Sequence, residues 1–348
     1  MKLVHQLYLT VIACLLQQSN SQLLKAKNRE VAGFTKSDQD KWIAPYTFIQ
    51  GTDPQPGLID TISGGNGTVW AEDIRRLNEA VSDINDIKDK PKFFFISGDL
   101  VDAFPGVEPY RQQQIDDVNE SLADLQIPTL VISGNHDILN TPTRNSIEEF
   151  KQIWGDDYYK FYCGGVLYIA LNSQYFYDSS EVQDLAQAQS DWLQNELQQA
   201  KLDEDLDNIV ILMHIPLFLK HGDEDDDAYF NIPRSLRMDL LDKFMEAGVK
   251  IVFSGHYHRN AGGKWSNVVN GTNLTIESVV NSAIGAQLGE DKSGLRVVNV
   301  ESKDITHQYY TLDELPDALN HGLELYLNYK AITIILLNCT FLNSYAYR

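Results

Sequence analysis

Cysteine is nearly absent: three in 348 residues, at positions 14, 163 and 339. So few exclude a disulfide framework and a thiolate metal cluster, and Cys163 reads as a small buried hydrophobe. Positive charge is also scarce. Lys and Arg number 28 against 49 Asp and Glu, for a formal net charge of -21. A chain of that charge is repelled by nucleic acid and by anionic membrane surfaces, which argues against either as its main partner. A small phosphate ester is still admitted, because a local cationic centre outweighs a distant field. No apolar run is long enough to span a bilayer, and there is no internal repeat or low-complexity segment.

The termini carry two short apolar runs. Lys2, the run from Leu7 to Leu16 and the small residues Ser19 and Ser21 predict a cleaved secretory signal over residues 1–21. Asn-x-Ser/Thr sequons at Asn66, Asn119, Asn270 and Asn273 are compatible with secretion but add little in an Asn-rich chain. The apolar stretch from Ala331 belongs to a C-terminal extension, residues 316–348, of unassigned role.

Between about Trp42 and Leu315, β-rich runs alternate with helical ones. "YTFIQ", "KFFFISG", "PTLVISG", "VLYIALN", "NIVILMH" and "KIVFSGH" are near-continuous apolar runs, as expected of strands covered on both faces. "EDIRRLNEAVSDINDI", "RQQQIDDVNESLADL", "SDWLQNELQQA" and "RSLRMDLLDKFMEAG" carry apolar residues at three-and-four spacing. The alternation predicts one α/β domain, residues 42–315, on a largely parallel central sheet. From Thr275 onward strand follows strand, as though a second sheet closes the domain.

The polar residues gather at the strand ends. "QGTDPQ" brings Asp53 and Gln55, "SGDLVD" Asp99 and Asp102, and "SGNHD" Asn135, His136 and Asp137. "LMHIP" brings His214, and "SGHYH" brings His256 and His258. Ligands of open α/β sheets bind outside the carboxyl ends of the strands, so these groups are expected along one edge of one sheet. The glycines before Asp99, Asn135 and His256 permit a sharp exit and close backbone approach. Taken singly, each motif has a bland alternative: G-D a turn, G-N-H-D an Asx turn, His214 a core histidine. All five in one order leave little room for coincidence.

That order resembles the calcineurin-like metallophosphoesterases, whose pattern is D-x-H, G-D-x-x-D, G-N-H-[DE], a strand-end H, then G-H-x-H. Four elements are intact here, and the first stands as "DPQ". "SGNHDILNTPT", "HIPLFL", "DEDDDAYFN" and "GVKIVFSGHYHRNAGG" are further similar to a member group regarded as intracellular serine/threonine phosphatases, which sets a cytoplasmic location against the secretory leader. The resemblance implies a two-sheet β-sandwich flanked by helices and a dinuclear centre of two divalent ions, or one trivalent and one divalent. Asp53, Gln55, Asp99 and His258 would hold one ion. Asp99 would bridge to the second, on Asn135, His214 and His256, which is why two histidines stand one residue apart.

Carboxylate and imidazole donors without thiolate suit Mn, Fe or Zn, and Mg less. Gln55 replaces the usual histidine by a weaker neutral ligand, which puts ion identity in doubt more than activity. His136 is the implied general acid, and Asp102 the group that accepts from its other ring nitrogen. An aspartate at position 102, where purple acid phosphatases carry a ligating tyrosine, argues against that branch. The expected activity is hydrolysis of a phosphomonoester, here of a phosphorylated protein, by a metal-bound hydroxide. A phosphodiesterase acting on nucleotides or lipid headgroups and a non-catalytic metal-binding scaffold are the alternatives.

Three surface features are less determinate. The acidic run His221–Pro233 reads as a solvated loop, and if it overhangs the site it disfavours acidic substrates. Arg259 and Asn260 either reach substrate phosphate or, for Arg259, pair with the acidic surface. Trp192 is expected to pack on the sheet.

Overall fold

The computed structural model describes residues 23–39, 45–269 and 271–319. The expected leader (1–21) and positions 320–348 of the C-terminal extension lie outside them. The first half runs β1 (Tyr46–Gly51), α1 (Leu58–Ile62), α2 (Ala71–Asp86), β2 (Phe94–Ile96), α3 (Tyr110–Ala123), β3 (Thr129–Val131), α4 (Asn135–Ile138), α5 (Arg144–Trp154), β4 (Tyr159–Cys163) and β5 (Val166–Ala170). The second runs α6 (Gln174–Tyr177), α7 (Gln183–Lys201), β6 (Asn208–Leu212), α8 (Arg234–Ala247), β7 (Val249–Ser254), β8 (Ala261–Val269), β9 (Thr272–Val280), β10 (Gly294–Val300) and β11 (Ile305–Thr311).

These strands form two sheets flanked by helices, the architecture that the family resemblance implies; the pattern of apolar runs alone suggests one largely parallel central sheet. One sheet has the order β11-β10-β1-β2-β3 and the other β4-β5-β6-β7-β9-β8. β1, β2 and β3 are parallel, while β10 and β11 extend that sheet antiparallel. β5, β6, β7 and β9 are parallel, and the antiparallel strands β4 and β8 close the two edges. The late strands therefore do not make a sheet of their own: β9 joins the second sheet and β10 the first. The parallel segments arise as anticipated, from apolar runs joined by helical crossovers.

Alternation along each strand sends neighbours to opposite layers. In β1, Phe48 enters the core between the sheets, and the adjacent Ile49 faces the helices α2, α3 and α5 through Leu77, Ile115 and Phe150. The second sheet buries its outer face under α7 and α8, with Leu193, Leu197, Leu241 and Phe244 against Ile209, Ile211 and Val252. Trp192 sits beside that layer, its ring 5.1 Å from Tyr158. Burial on both faces is what makes the strands read as continuous apolar runs. Residues 23–39, ahead of Trp42, pack here too: Ala26 and Val31 are buried in the inter-sheet core, and Arg29 pairs with Asp157 at 2.9 Å.

Aromatic rings dominate the space between the sheets. Phe48 stacks on Phe93 at 4.7 Å and Phe161 on Tyr168 at 4.7 Å, while Phe93 meets Phe161 edge-on at 5.2 Å. Cys163 is buried in this layer, as expected. Phe93 touches both sheets' rings and is fully buried, so Phe93→Ala is expected to cost about 3–5 kcal/mol in urea unfolding. A loss below about 1 kcal/mol would mean that the inter-sheet layer repacks freely.

Candidate metal centre

The site lies where the carboxyl ends of strands from both sheets meet. β1, β2 and β3 of the first sheet deliver Asp53, Gln55, Asp99, Asn135 and His136; β6 and β7 of the second deliver His214, His256 and His258. Two sheet edges rather than one therefore build it, a correction to the single-edge expectation. The close approach depends on small residues. A Cβ at Gly98 would come within 2.6 Å of the Gly134 amide, and one at Gly134 within 2.2 Å of Asp99 Oδ1. The ligating candidates are themselves held in left-handed backbone, with φ of 49° at Asp53, 39° at Gln55, 50° at Asp99, 67° at His256 and 51° at His258. Non-glycine residues avoid this region, and its concentration here is the mark of a geometry imposed by the surroundings.

Five of the seven sequence-predicted ligands converge in two groups. The ligand atoms of Asp99, His214 and His256 all lie within 4.8 Å of one another, and so do those of Asp53, Asp99 and His258. Asp99 is common to both groups, and every member is buried. Asn135 Oδ1 lies 3.1 Å from His214 Nε2, on the side of the first group. Gln55 donates from Nε2 to Asp102 Oδ1 at 3.1 Å, which leaves its Oε1 turned away from that carboxylate.

Hydrogen bonding to backbone assigns the histidine tautomers, because a carbonyl only accepts. His214 Nδ1 donates to Ser97 O at 2.7 Å, and His258 Nδ1 to Ala286 O at 2.6 Å. Each presents Nε2 inward, to Asp99 Oδ2 and Asp53 Oδ1 respectively, both at 3.3 Å. His256 is reversed: its Nε2 donates to Tyr229 O at 2.8 Å, freeing Nδ1. Ring nitrogens anchored in this way are the usual support for metal-binding imidazoles.

A cation fits this donor set. Gln55 Oε1 is buried and accepts no hydrogen bond, and the buried Asp53 Oδ1 has only the His258 imidazole at 3.3 Å before it, an arrangement that is costly unless positive charge faces these oxygens. For the two carboxylates, protons occupy that role in the protein by itself. Burial opposes charge on His214, yet the Asp99 carboxylate outweighs it and raises the imidazole to about 9. His258 is raised for the same reason by Asp53, against its burial. Asp99 is buried too, and its histidine neighbours hold it well below the usual carboxylate range. His256, desolvated and next to cationic His214, is depressed to about 3 and so is neutral.

His136 and Asp102 are placed differently from expectation. His136 Nδ1 donates at 2.6 Å to the backbone carbonyl of Asp102, not to its carboxylate, which stands 3.5 Å away. That carboxylate accepts instead from Gln55 and from Thr61 Oγ1, at 3.2 Å. The His136 ring stacks on Phe104 at 4.2 Å. Asp137 stays out of the cluster: its two oxygens accept from the Leu100 and Gly134 amides, stapling the two ligand loops together. Burial and repulsion from Asp99 raise it to about 7.

Sequence reasoning missed two residues. Arg111, fully buried on α3, donates to the carbonyls of Ala103, His136 and Asp137 and pairs with Glu149 at 2.5 Å. Tyr229 comes from the acidic run. Asp223, Asp225, Asp226 and Asp227 are exposed as foreseen, but Tyr229 turns inward and its Oη accepts from Asn135 Nδ2 at 2.9 Å. An aromatic pair inside a charged run was the available signal. Arg259 donates to Leu288 O and lies 4.6 Å over the Tyr257 ring, while Asn260 bonds Asp291.

Two sheets flanked by helices, with a shared carboxylate between two clusters of oxygen and imidazole donors, form a candidate dinuclear centre of the kind that metal-dependent hydrolases use. The calcineurin-like phosphoesterase family model matches residues 50–260. Relatives called serine/threonine-protein phosphatase CPPED1 are 47% identical over 299 residues in Homo sapiens (84% of this chain, 92% of that one) and 45% over 305 in Danio rerio (85% and 94%). The chain belongs to the calcineurin-like phosphoesterases. Among solved structures, purple acid phosphatase PPD1 from yellow lupin is similar with TM-score 0.55 at 14% identity, over 78% of this chain and 52% of that one. A dimetal phosphatase from Danio rerio gives 0.51 at 14%, over 77% and 100%. At that identity the likeness is of fold alone. Among the described residues no helix is long and apolar enough to cross a membrane.

Two outcomes follow from the geometry. A metal ion must displace the inward proton of His214, so loading at pH 7 is expected to release protons and to tighten as pH rises towards 9. Without metal, the raised imidazole stabilises the fold fully below its unfolded value of about 6.5, and that contribution is lost as pH rises through the folded value. Calorimetric titration in buffers of different ionisation enthalpy reads the proton release, and Asp99→Asn should abolish it. Because Asp102 orients the Gln55 amide, Asp102→Ala is expected to weaken one of the two ions by about 10–100-fold. Equal weakening of both, or of neither, by competition with a metal-sensitive dye would refute that role.

Proposed function

We propose that the chain is a phosphomonoesterase acting on phosphoserine or phosphothreonine in proteins, with Asp53, Gln55, Asp99 and His258 holding one ion and Asp99, Asn135, His214 and His256 the other. The observation that carries this is the buried Asp99 common to both donor clusters, with His136 beside it: the His136 amide donates to Asp99 Oδ1 at 2.8 Å. The protein-substrate assignment is supported by the relatives called serine/threonine-protein phosphatase, at 47% identity over 84% of the chain. Mn, Fe or Zn suits the mixed oxygen and imidazole set.

When bound, two ions activate water at neutral pH and neutralise charge on the phosphoryl oxygens. The chain's residues do the remainder. Asp99 and Asp53 fix the ligand geometry through bonds from backbone amides, including His256 N to Asp53 Oδ2 at 3.0 Å. His136, with Nδ1 committed to the Asp102 carbonyl and its ring pressed on Phe104, presents Nε2 to the leaving oxygen and can deliver a proton there. Arg111 donates to the carbonyl of His136 itself, so a buried cation holds the backbone of the acid.

A proton donor matters most for a poor leaving group. His136→Ala is therefore expected to lower kcat by about 10²–10⁴-fold on a phosphoserine peptide, and much less on an aryl phosphate, while two ions stay bound. Comparison with the matching aryl diester discriminates the phosphodiesterase. Equal losses on both monoesters would remove His136 as the acid, and no turnover by folded, metal-loaded protein would leave a binding scaffold.

A further inference from the structure

The loop from His221 to Pro233 is built to hold one side chain over the site. At its base the buried guanidinium of Arg237 donates to Gly222 O at 2.8 Å, to Ile232 O at 3.1 Å and to Glu224 O. Glu224 folds back to accept from the amides of Leu219, Lys220 and His221 at 2.7, 2.8 and 3.0 Å. Nearer the tip, Tyr177 Oη donates to Ala228 O at 2.6 Å, and Asp227 Oδ1 accepts from the amides of Tyr229 and Phe230. Tyr229 is thus fixed from three directions. Its ring centroid lies 4.8 Å from that of His256, and its carbonyl accepts from the same imidazole.

The hydroxyl has a specific valence left over. Asn135 Nδ2 has two hydrogens, and they go to Asn140 Oδ1 and Tyr229 Oη, both at 2.9 Å. The tyrosine oxygen is therefore an acceptor in that bond, and its own proton is donated to no acceptor among the described residues. The tyrosine is half-buried, beside Asn135 and His256. A phenol is protonated at neutral pH and is a good donor to an anionic oxygen.

We propose that Tyr229 is a substrate-binding residue: its hydroxyl donates to a non-bridging oxygen of the phosphoryl group seated against Asn135 and His256. The assignment rests on the phosphatase function proposed above. It also gives the acidic loop a role, since the segment that carries the exposed Asp223, Asp225, Asp226 and Asp227 is the one that anchors Tyr229.

The test uses the full chain loaded with Mn²⁺ and inorganic phosphate as the probe. Tyr229→Phe keeps the ring against His256 and removes only the hydroxyl. Calorimetry is expected to show phosphate binding weakened about 10–100-fold, with two ions per chain and an unchanged melting temperature. For a phosphoserine peptide, KM should rise while the pH profile of kcat keeps its shape. Phosphate affinity within twofold of wild type overturns the proposal. So does loss of an ion in the variant, which would show Tyr229 to be a support for Asn135 and not a substrate contact. A wild-type protein that takes up two ions yet neither binds phosphate nor cleaves an aryl phosphate overturns the phosphatase function itself, a result distinct from either.

Discussion

Everything at the centre of this molecule answers to one electrostatic constraint: Asp53 and Asp99 are buried side by side and must be met by positive charge. Unpaired carboxylates are not kept in a protein interior. Without metal, protons on His214 and His258 supply the charge, which is why both imidazoles are raised. Divalent ions would supply more of it. The outer shell is already arranged for that exchange, because every histidine of the site has one ring nitrogen tied to a backbone carbonyl. The rings are therefore aimed independently of what lies between them, the preorganisation that electrostatic catalysis requires.

The two-sheet architecture is what brings such groups together. Asp53 and Asp99 follow β1 and β2 of one sheet, and His214 and His256 follow β6 and β7 of the other. The aromatic layer of Phe48, Phe93, Phe161 and Tyr168 fixes the separation of the sheets and hence the width of the site. Left-handed backbone at five ligating candidates costs about 1–3 kcal/mol apiece. Such positions persist only because core and loops over-determine them: Asp137 ties two ligand loops, and Arg111 ties one of those loops to α3.

The residues of the site were legible in the sequence because their chemistry sits in short local signals, each a strand, a glycine and a polar group. The partition of strands was not. An apolar run buried on both faces looks the same in either sheet, and which strands pair is decided by crossovers and edge strands far apart in sequence. So β10, read as part of a closing sheet, pairs with β1 across more than two hundred residues. The partner of Asp102 was misjudged for a related reason. Spacing along "GDLVD" puts the carboxylate near His136, but the contact is made by the carbonyl, and the side chain turns to a residue 47 positions earlier.

Gln55 and Asp102 are best understood together. Where the family pattern has histidine, an imidazole could be anchored by any carbonyl and still offer a nitrogen. An amide has no such reserve: its oxygen faces the site only if its nitrogen is held elsewhere. The Asp102 carboxylate is an acceptor and nothing more when ionised, so it can bond only the NH2 end and excludes the flipped amide. With that carboxylate accepting from Gln55, it stands 3.5 Å from His136 Nδ1, and the closer bond is to the backbone carbonyl of the same residue, itself part of a loop that Arg111 fixes through Ala103. One substitution in the first motif thus redistributes the hydrogen bonds of the second and third, and Arg111 becomes the cation on which the placement of His136 depends.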